Sequence, residues 1–162
     1  MKTWITGGRV IDPRNHIDSK LNLVLEGGKV VALTDRKPEA GASILHAENR
    51  VVCPGFLDIH MPQAPVGDLS DIEGSILGCM LRMGVTTALG GNCGENVLPP
   101  EDYFRRVAGR LPISLALLAG HGAAREAAGF TDRYQSLTPE QVHSVTDILA
   151  QWLNSGCFGI SY

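Results

Sequence analysis

From Val51 onward the chain settles into a rhythm that leaves few folds open, strand and helix alternating until four strands have been written. Repeats of that kind require a parallel sheet with right-handed crossovers, because a helix must carry the chain back before the next strand begins. The first predicted strand is Val51-Val52-Cys53-Pro54-Gly55-Phe56-Leu57-Asp58-Ile59-His60, an apolar run with β-branched and aromatic members, read as one buried strand. Residues 85–89, 113–118 and 157–162 supply the other three. Ser70-Asp71-Ile72-Glu73 has capping-box spacing, and Ile72, Ile76, Leu77, Met80 and Leu81 follow at helical intervals up to Gly84, with Met80 and Met83 read as core filler. A second helix starts near Pro99-Pro100-Glu101 and carries Tyr103, Phe104 and Val107. The clearest helix opens at Thr138-Pro139-Glu140-Gln141 and stops at Gly156. Its predicted buried stripe is Val142, Val145, Ile148, Leu149, Trp152 and Leu153, with His143 solvated beside it.

Residues 1–52 read differently, as short strands and tight turns. Leu21–Leu25 and Lys29–Leu33 flank Gly27-Gly28, a two-residue hairpin signal, and Trp4-Ile5-Thr6 and Arg9-Val10-Ile11 flank another glycine pair. Residues 53–162 then form the predicted βα module. The 162 residues suit one domain, or a small domain with part of a larger one, and four βα strands fit either a complete small doubly wound domain or the first half of a (β/α)8 barrel.

A strand that ends in Asp58-x-His60 places both side chains at its carboxyl end, where parallel α/β barrels carry their chemistry. The plainer reading is a core strand capped by a turn. Gly90-Gly91-Asn92-Cys93-Gly94 puts a thiol at the end of the second strand, among glycines that allow close backbone approach; a tight turn with an incidental cysteine is the plainer reading there. His121 ends the third strand, and Arg125 follows it. His16 and His46 fall in the leader and read as structural or solvated. The four cysteines show no CxxC spacing, which fits free thiols in a reducing cytoplasm.

Pro54-Gly55-Phe56-Leu57-Asp58-Ile59-His60 after a β-rich leader resembles the first barrel strand of the metal-dependent amidohydrolase superfamily. Gly84-Val85-Thr86-Thr87 followed by Gly91-Asn92-Cys93-Gly94 resembles its N-acyl-D-amino-acid deacylase (D-aminoacylase) branch. So do Gly120-His121-Gly122-Ala123-Ala124-Arg125, Leu137-Thr138-Pro139-Glu140-Gln141 and Gly156-Cys157-Phe158-Gly159-Ile160-Ser161. The resemblance implies an α/β fold: a small N-terminal β-sandwich module followed by the first half of a (β/α)8 TIM-type barrel, in a truncated chain. It implies a zinc hydrolase that cleaves the amide of an N-acyl-D-amino acid through an activated water, with His60 and Cys93 as metal ligands. Asp58 and His121 fall to supporting the ligands or meeting substrate. The general base and the remaining ligands are expected beyond Tyr162. One departure stands out, since Pro62 occupies the position where the family carries a second histidine. Many binuclear relatives bridge their metals with a strand lysine, whereas the last lysine here is Lys37.

Two other readings stand beside this one: a dihydroorotase-like cyclic amidase, the nearest enzymatic rival, and a degenerate, non-catalytic homologue that serves as an interaction protein, which Pro62 motivates. The missing strand lysine counts against the first, and retention of Cys93 against the second. A formal net charge of −3 gives no electrostatic footprint for nucleic acid or an acidic membrane. The expected partner is a small-molecule substrate, with self-association of the chain if its sheet edges stay open. No signal-like or membrane-spanning run is present, so a cytoplasmic protein is expected.

Overall fold

The computed structural model describes residues 2–61, 75–96, 99–132 and 134–162. Contacts divide the chain into two compact units, Met1–Pro54 and Gly55–Tyr162.

The first unit is built from seven strands: β1 (Lys2–Thr6), β2 (Arg9–Asp12), β3 (Ile17–Lys20), β4 (Asn22–Glu26), β5 (Lys29–Thr34), β6 (Ser43–His46) and β7 (Val51–Val52). They form a four-stranded sheet in the order β5-β4-β1-β6 and a three-stranded sheet in the order β3-β2-β7. The predicted hairpin is β4–β5, antiparallel, and Gly27 and Gly28 turn it with φ of 58° and 76°. Positive φ at both central residues matches the right-handed twist of the paired strands, and glycine adopts it without a Cβ clash. The other glycine pair does not make a hairpin: β1 and β2 belong to different sheets. Trp4, Val10, Val24 and Ala47 are the buried hydrophobic residues among those described in this unit.

The second unit holds β8 (Phe56–Asp58), α1 (Ile76–Arg82), β9 (Val85–Gly90), α2 (Pro100–Val107), β10 (Ser114–Gly120), α3 (His121–Ala127), α4 (Pro139–Asn154) and β11 (Gly159–Ser161). Its four strands pair in chain order, β11-β10-β9-β8, and every pairing is parallel. The alternation of strands and helices predicts the parallel pairing; the half-barrel type of sheet is what the resemblance implies. The larger core joins Leu117 and Ala119 of β10 to Tyr103 and Val107 of α2, Ala123 and Ala124 of α3, and Val145, Leu149 and Trp152 of α4. A smaller one gathers Met61, Leu77, Met80, Ala88 and Ile113.

Three expectations need correction. Residues 51–60 are not one buried strand. Pro54, which has no N–H to give a ladder, interrupts the run, and β7 and β8 fall in different units. The strand that remains is at the edge of its sheet, with Phe56 60% and Leu57 62% exposed. On α4, Val145, Leu149 and Trp152 are buried, whereas Val142 and Leu153 are exposed, so the stripe is narrower than its periodicity predicts. Met83, expected in the core, is exposed beyond α1. The capping box at Ser70 to Glu73 lies outside the described residues, as does Pro62; α1 is instead capped by Ser75, whose Oγ accepts the Gly78 N–H.

The cap of α4 forms in full. Thr138 Oγ1 accepts the Gln141 N–H at 3.4 Å, and Gln141 Oε1 accepts the Thr138 N–H at 2.9 Å. Thr138→Ala removes one half of this exchange and should cost about 1 kcal/mol, read as a lower denaturant midpoint of the helical circular dichroism. An unchanged midpoint would mean that packing of Leu149 and Trp152 alone holds the helix.

Candidate functional site

Because the four strands of the second unit are parallel and adjacent, their carboxyl ends share one edge. Each delivers a polar or reactive residue there: Asp58 at the end of β8 and His60 just after it, Asn92 and Cys93 after β9, His121 after β10, and Ser161 with Tyr162 at the end of β11.

His60 and Cys93 meet. Imidazole Nε2 lies 3.5 Å from the Cys93 Sγ, across 33 residues of sequence, and both side chains are exposed. The backbone around His60 is held from three directions. Asp58 Oδ1 accepts the His60 N–H at 2.9 Å, Asn92 Nδ2 donates to the Ile59 carbonyl at 3.1 Å, and the Met61 N–H donates to the Leu89 carbonyl at 3.2 Å. Asp58 therefore supports His60 through its main chain; its carboxylate does not bond the imidazole ring. The Asn92 amide joins the β8 and β9 loops one residue before each of the two reactive side chains, and its Oδ1 is buried with no partner among the described residues.

Cys93 sits with φ of 59°, in the left-handed region that a residue with a Cβ rarely occupies. Its neighbours explain how the turn fits. Gly91 has φ of 77°, and a Cβ there would lie 2.4 Å from the Leu118 carbonyl oxygen. A Cβ on Gly120 would come equally close to the carbonyl oxygens of Gly94 and Glu95. The turn thus packs directly on the backbone of β10, and Gly91 in the turn and Gly120 opposite it are required by space.

His121 opens α3, and its ring lies tilted against Tyr162 with centroids 5.2 Å apart. It shares the edge with His60 and Cys93 but turns towards β11. Arg125 is buried inside α3 and donates through Nη2 to the carbonyls of Asp132 at 2.9 Å and Gln135 at 2.7 Å, which fastens the segment that leads to α4. All four cysteines are free thiols. Burial pushes the Cys157 thiol up, with Glu101 adding to that and a hydrogen bond from Asn96 opposing it, so Cys157 stays a neutral core group.

The pair of donors suits a metal ion. Zinc bonds to imidazole nitrogen at about 2.0–2.1 Å and to thiolate sulfur at about 2.3 Å, so a tetrahedral ion places the two donors about 3.6 Å apart. The observed separation matches that edge. The same distance also allows a hydrogen bond between the two groups. Among the described residues no cluster of three or more His, Cys, Asp or Glu side chains converges. None of the described helices is long and apolar enough to cross a membrane.

Sequence reasoning missed Asn92 and Ser161. Asn92 stands within Gly91-Asn92-Cys93-Gly94 and Ser161 ends the 156–161 run, yet neither run by itself says what the two side chains bond to.

Comparison with known proteins gives these residues a context. No family model matches the chain. The D-aminoacylase of Alcaligenes xylosoxydans xylosoxydans is 26% identical over 97% of the chain, which spans 36% of that enzyme. A dihydroorotase of Aquifex aeolicus is 32% identical over 63% of the chain and 24% of the enzyme. Among solved structures, the N-acyl-D-glutamate deacylase of Bordetella bronchiseptica, complexed with zinc and a phosphonate mimic of the tetrahedral intermediate, superposes with a TM-score of 0.83. It is 25% identical over 98% of the chain and 37% of its own. The chain thus spans about a third of the length of the deacylases it matches.

Proposed function

Starting from relatives that are N-acyl-D-amino-acid deacylases over nearly the whole chain, we propose that these 162 residues carry the first two metal donors of a zinc-dependent amidohydrolase that cleaves N-acyl-D-amino acids. The observation that supports it most is the 3.5 Å approach of His60 Nε2 to Cys93 Sγ at the carboxyl edge of a parallel sheet. Two soft or borderline donors at a tetrahedral edge are what zinc selects. When bound, the ion supplies Lewis acidity towards the amide carbonyl and lowers the pKa of a coordinated water.

The chain's own residues then have separate tasks. Cys93 gives a thiolate and His60 a neutral imidazole nitrogen. Asp58 and Asn92 hold the main chain on either side of the Ile59–His60 peptide in place. His121 and Tyr162 form an aromatic surface on the same edge, beside the turn that bears Cys93. They are the side chains best placed to meet the substrate. The general base and further ligands belong, in this reading, to the larger part of the barrel that the relatives possess. A complete (β/α)8 barrel and a β-sandwich leader are part of the same proposal.

A second reading has a specific observation behind it. The dihydroorotase similarity covers 63% of the chain at a higher identity than the deacylase match, and both enzymes hydrolyse an amide C–N bond. These 162 residues alone are not expected to turn over either substrate, so the assay that separates the two uses a zinc-loaded protein that includes the rest of the barrel. Release of amine from N-acetyl-D-amino acids, with L-enantiomers inert, is expected of a deacylase; ring opening of dihydroorotate without it would transfer the assignment. Zinc uptake with neither turnover would confine the 162 residues to holding metal. Failure to bind zinc at all would leave the non-catalytic reading.

A further inference from the structure

The turn that bears Cys93 is closed by a side chain from a strand that is not its neighbour. Ser161 stands on β11, and β10 separates it from β9. Its hydroxyl accepts the Gly94 N–H at 3.1 Å and donates to the Gly91 carbonyl, partners 67 and 70 residues away. One hydroxyl therefore bridges the two ends of the segment Gly91-Asn92-Cys93-Gly94, using its single hydrogen as donor and a lone pair as acceptor. Cys93 lies between those ends with φ of 59°.

We infer that Ser161 is a positioning residue that holds the Cys93 turn in its left-handed conformation and so presents the thiol to the metal. The inference rests on the reading of His60 and Cys93 as ligands. A cysteine prefers other backbone conformations, and a positive φ persists only where the surroundings over-determine it. Two of the constraints are steric: Gly91 and Gly120 let the turn lie on β10. Sterics alone permit the turn without selecting the direction of the thiol. The Ser161 bridge does select it, because Gly91 C=O and Gly94 N–H can both meet one oxygen only when the residues between them curl to one side. Both ends of the bridge are at buried glycines, while Cys93 itself is exposed, so water does not readily replace the hydroxyl. The same contact gives the last strand a role in the site that its own sequence does not display. Ser161 contributes no bond to the ion and none to the substrate; it acts through the Cys93 backbone, as outer groups do when they orient the ligands of a metal site.

Two variants of equal shape test this, Ser161→Thr and Ser161→Val. Both add a β-branched side chain that a strand accepts, and they differ by one hydroxyl. Cobalt(II) is the probe, since its bond to a thiolate gives a charge-transfer absorption that reports both the amount and the geometry of cysteine ligation. Ser161→Thr is expected to keep that band and a cobalt affinity within a few-fold of the parent. Ser161→Val should shift or weaken the band and lower the affinity about tenfold to a hundredfold, while the Gly94 amide exchanges with solvent faster. Matching far-ultraviolet circular dichroism for the two variants shows that both are folded. Equal cobalt affinity and equal bands in the two variants would overturn the inference even where the parent binds cobalt through Cys93. A parent that shows no thiolate band at all would instead remove the metal-site reading, and this inference with it.

Discussion

Cys93→Ala is expected to reduce the affinity of the protein for zinc or cobalt at least a hundredfold and to erase the thiolate absorption. Of the two donors the structure brings together, the thiolate carries the charge, and metal coordination keeps it deprotonated. A lone exposed imidazole does not hold a divalent ion in competition with water. His60→Ala should weaken binding less and leave the thiolate band in place with altered intensity. A third variant exposes what the cysteine costs the fold. At φ of 59° glycine is the residue the backbone prefers, so Cys93→Gly should be no less stable than the parent and up to about 1 kcal/mol more stable, although it binds no metal. Titration with cobalt and a denaturant midpoint on the same three proteins decide the matter. Full affinity in Cys93→Ala would end the metal-site proposal; a large loss of stability in Cys93→Gly would show that the side chain is retained for packing.

The parts of this site that were legible in the sequence are those encoded in short runs. Gly-Asn-Cys-Gly after an apolar β-branched segment places a thiol in a tight turn at a strand end, and Asp58-x-His60 places a histidine at the corresponding end of the preceding strand. The parallel pairing of β8 to β11 follows from alternation alone, because a helix must carry the chain back between strands; their chain-order arrangement is seen only in the structure. Features that depend on neighbours distant in sequence were not legible. The 51–60 run looked buried because its residues are apolar, yet burial of a strand depends on what flanks it, and β8 is an edge strand. Helix α3 was not foreseen, since His121-Gly122-Ala123-Ala124 has no cap side chain and a glycine at its second position. The role given to Ser161 was invisible for the same reason: its two partners lie 67 and 70 residues away. Local runs single out His60 and Cys93 by residue type; only the tertiary structure brings them to 3.5 Å and sets Ser161 across the Cys93 turn.

The glycines of the site should prove far less replaceable than glycines of similar backbone conformation elsewhere. Gly27, in the β4–β5 hairpin, and Gly91, before Cys93, both have positive φ, 58° and 77°. At Gly27 an added Cβ meets nothing within 4 Å, so Gly27→Ala pays only for the left-handed conformation, about 1–2 kcal/mol. At Gly91 the same Cβ would lie 2.4 Å from the Leu118 carbonyl oxygen and 2.9 Å from the Leu118 nitrogen. These are backbone atoms of β10, and they cannot rotate away as a side chain could. Leu117 pairs with Gly90 in the parallel ladder and the Phe158 N–H donates to the Leu117 carbonyl at 2.7 Å, so displacing this stretch disturbs hydrogen bonds on both sides of β10. Gly91→Ala should therefore cost about 3–5 kcal/mol, in the range reserved for backbone strain combined with overpacking. The consequence reaches the metal as well. The turn can relieve the clash only by lifting off β10, which carries the Gly91 carbonyl away from Ser161 and the Cys93 thiol away from His60. Loss of the cobalt–thiolate band is thus expected in Gly91→Ala under conditions where circular dichroism still reports folded protein, while Gly27→Ala retains it. Equal stability losses in the two variants, with the band intact in both, would mean that the Cys93 turn is soft and that the structure does not preorganise it.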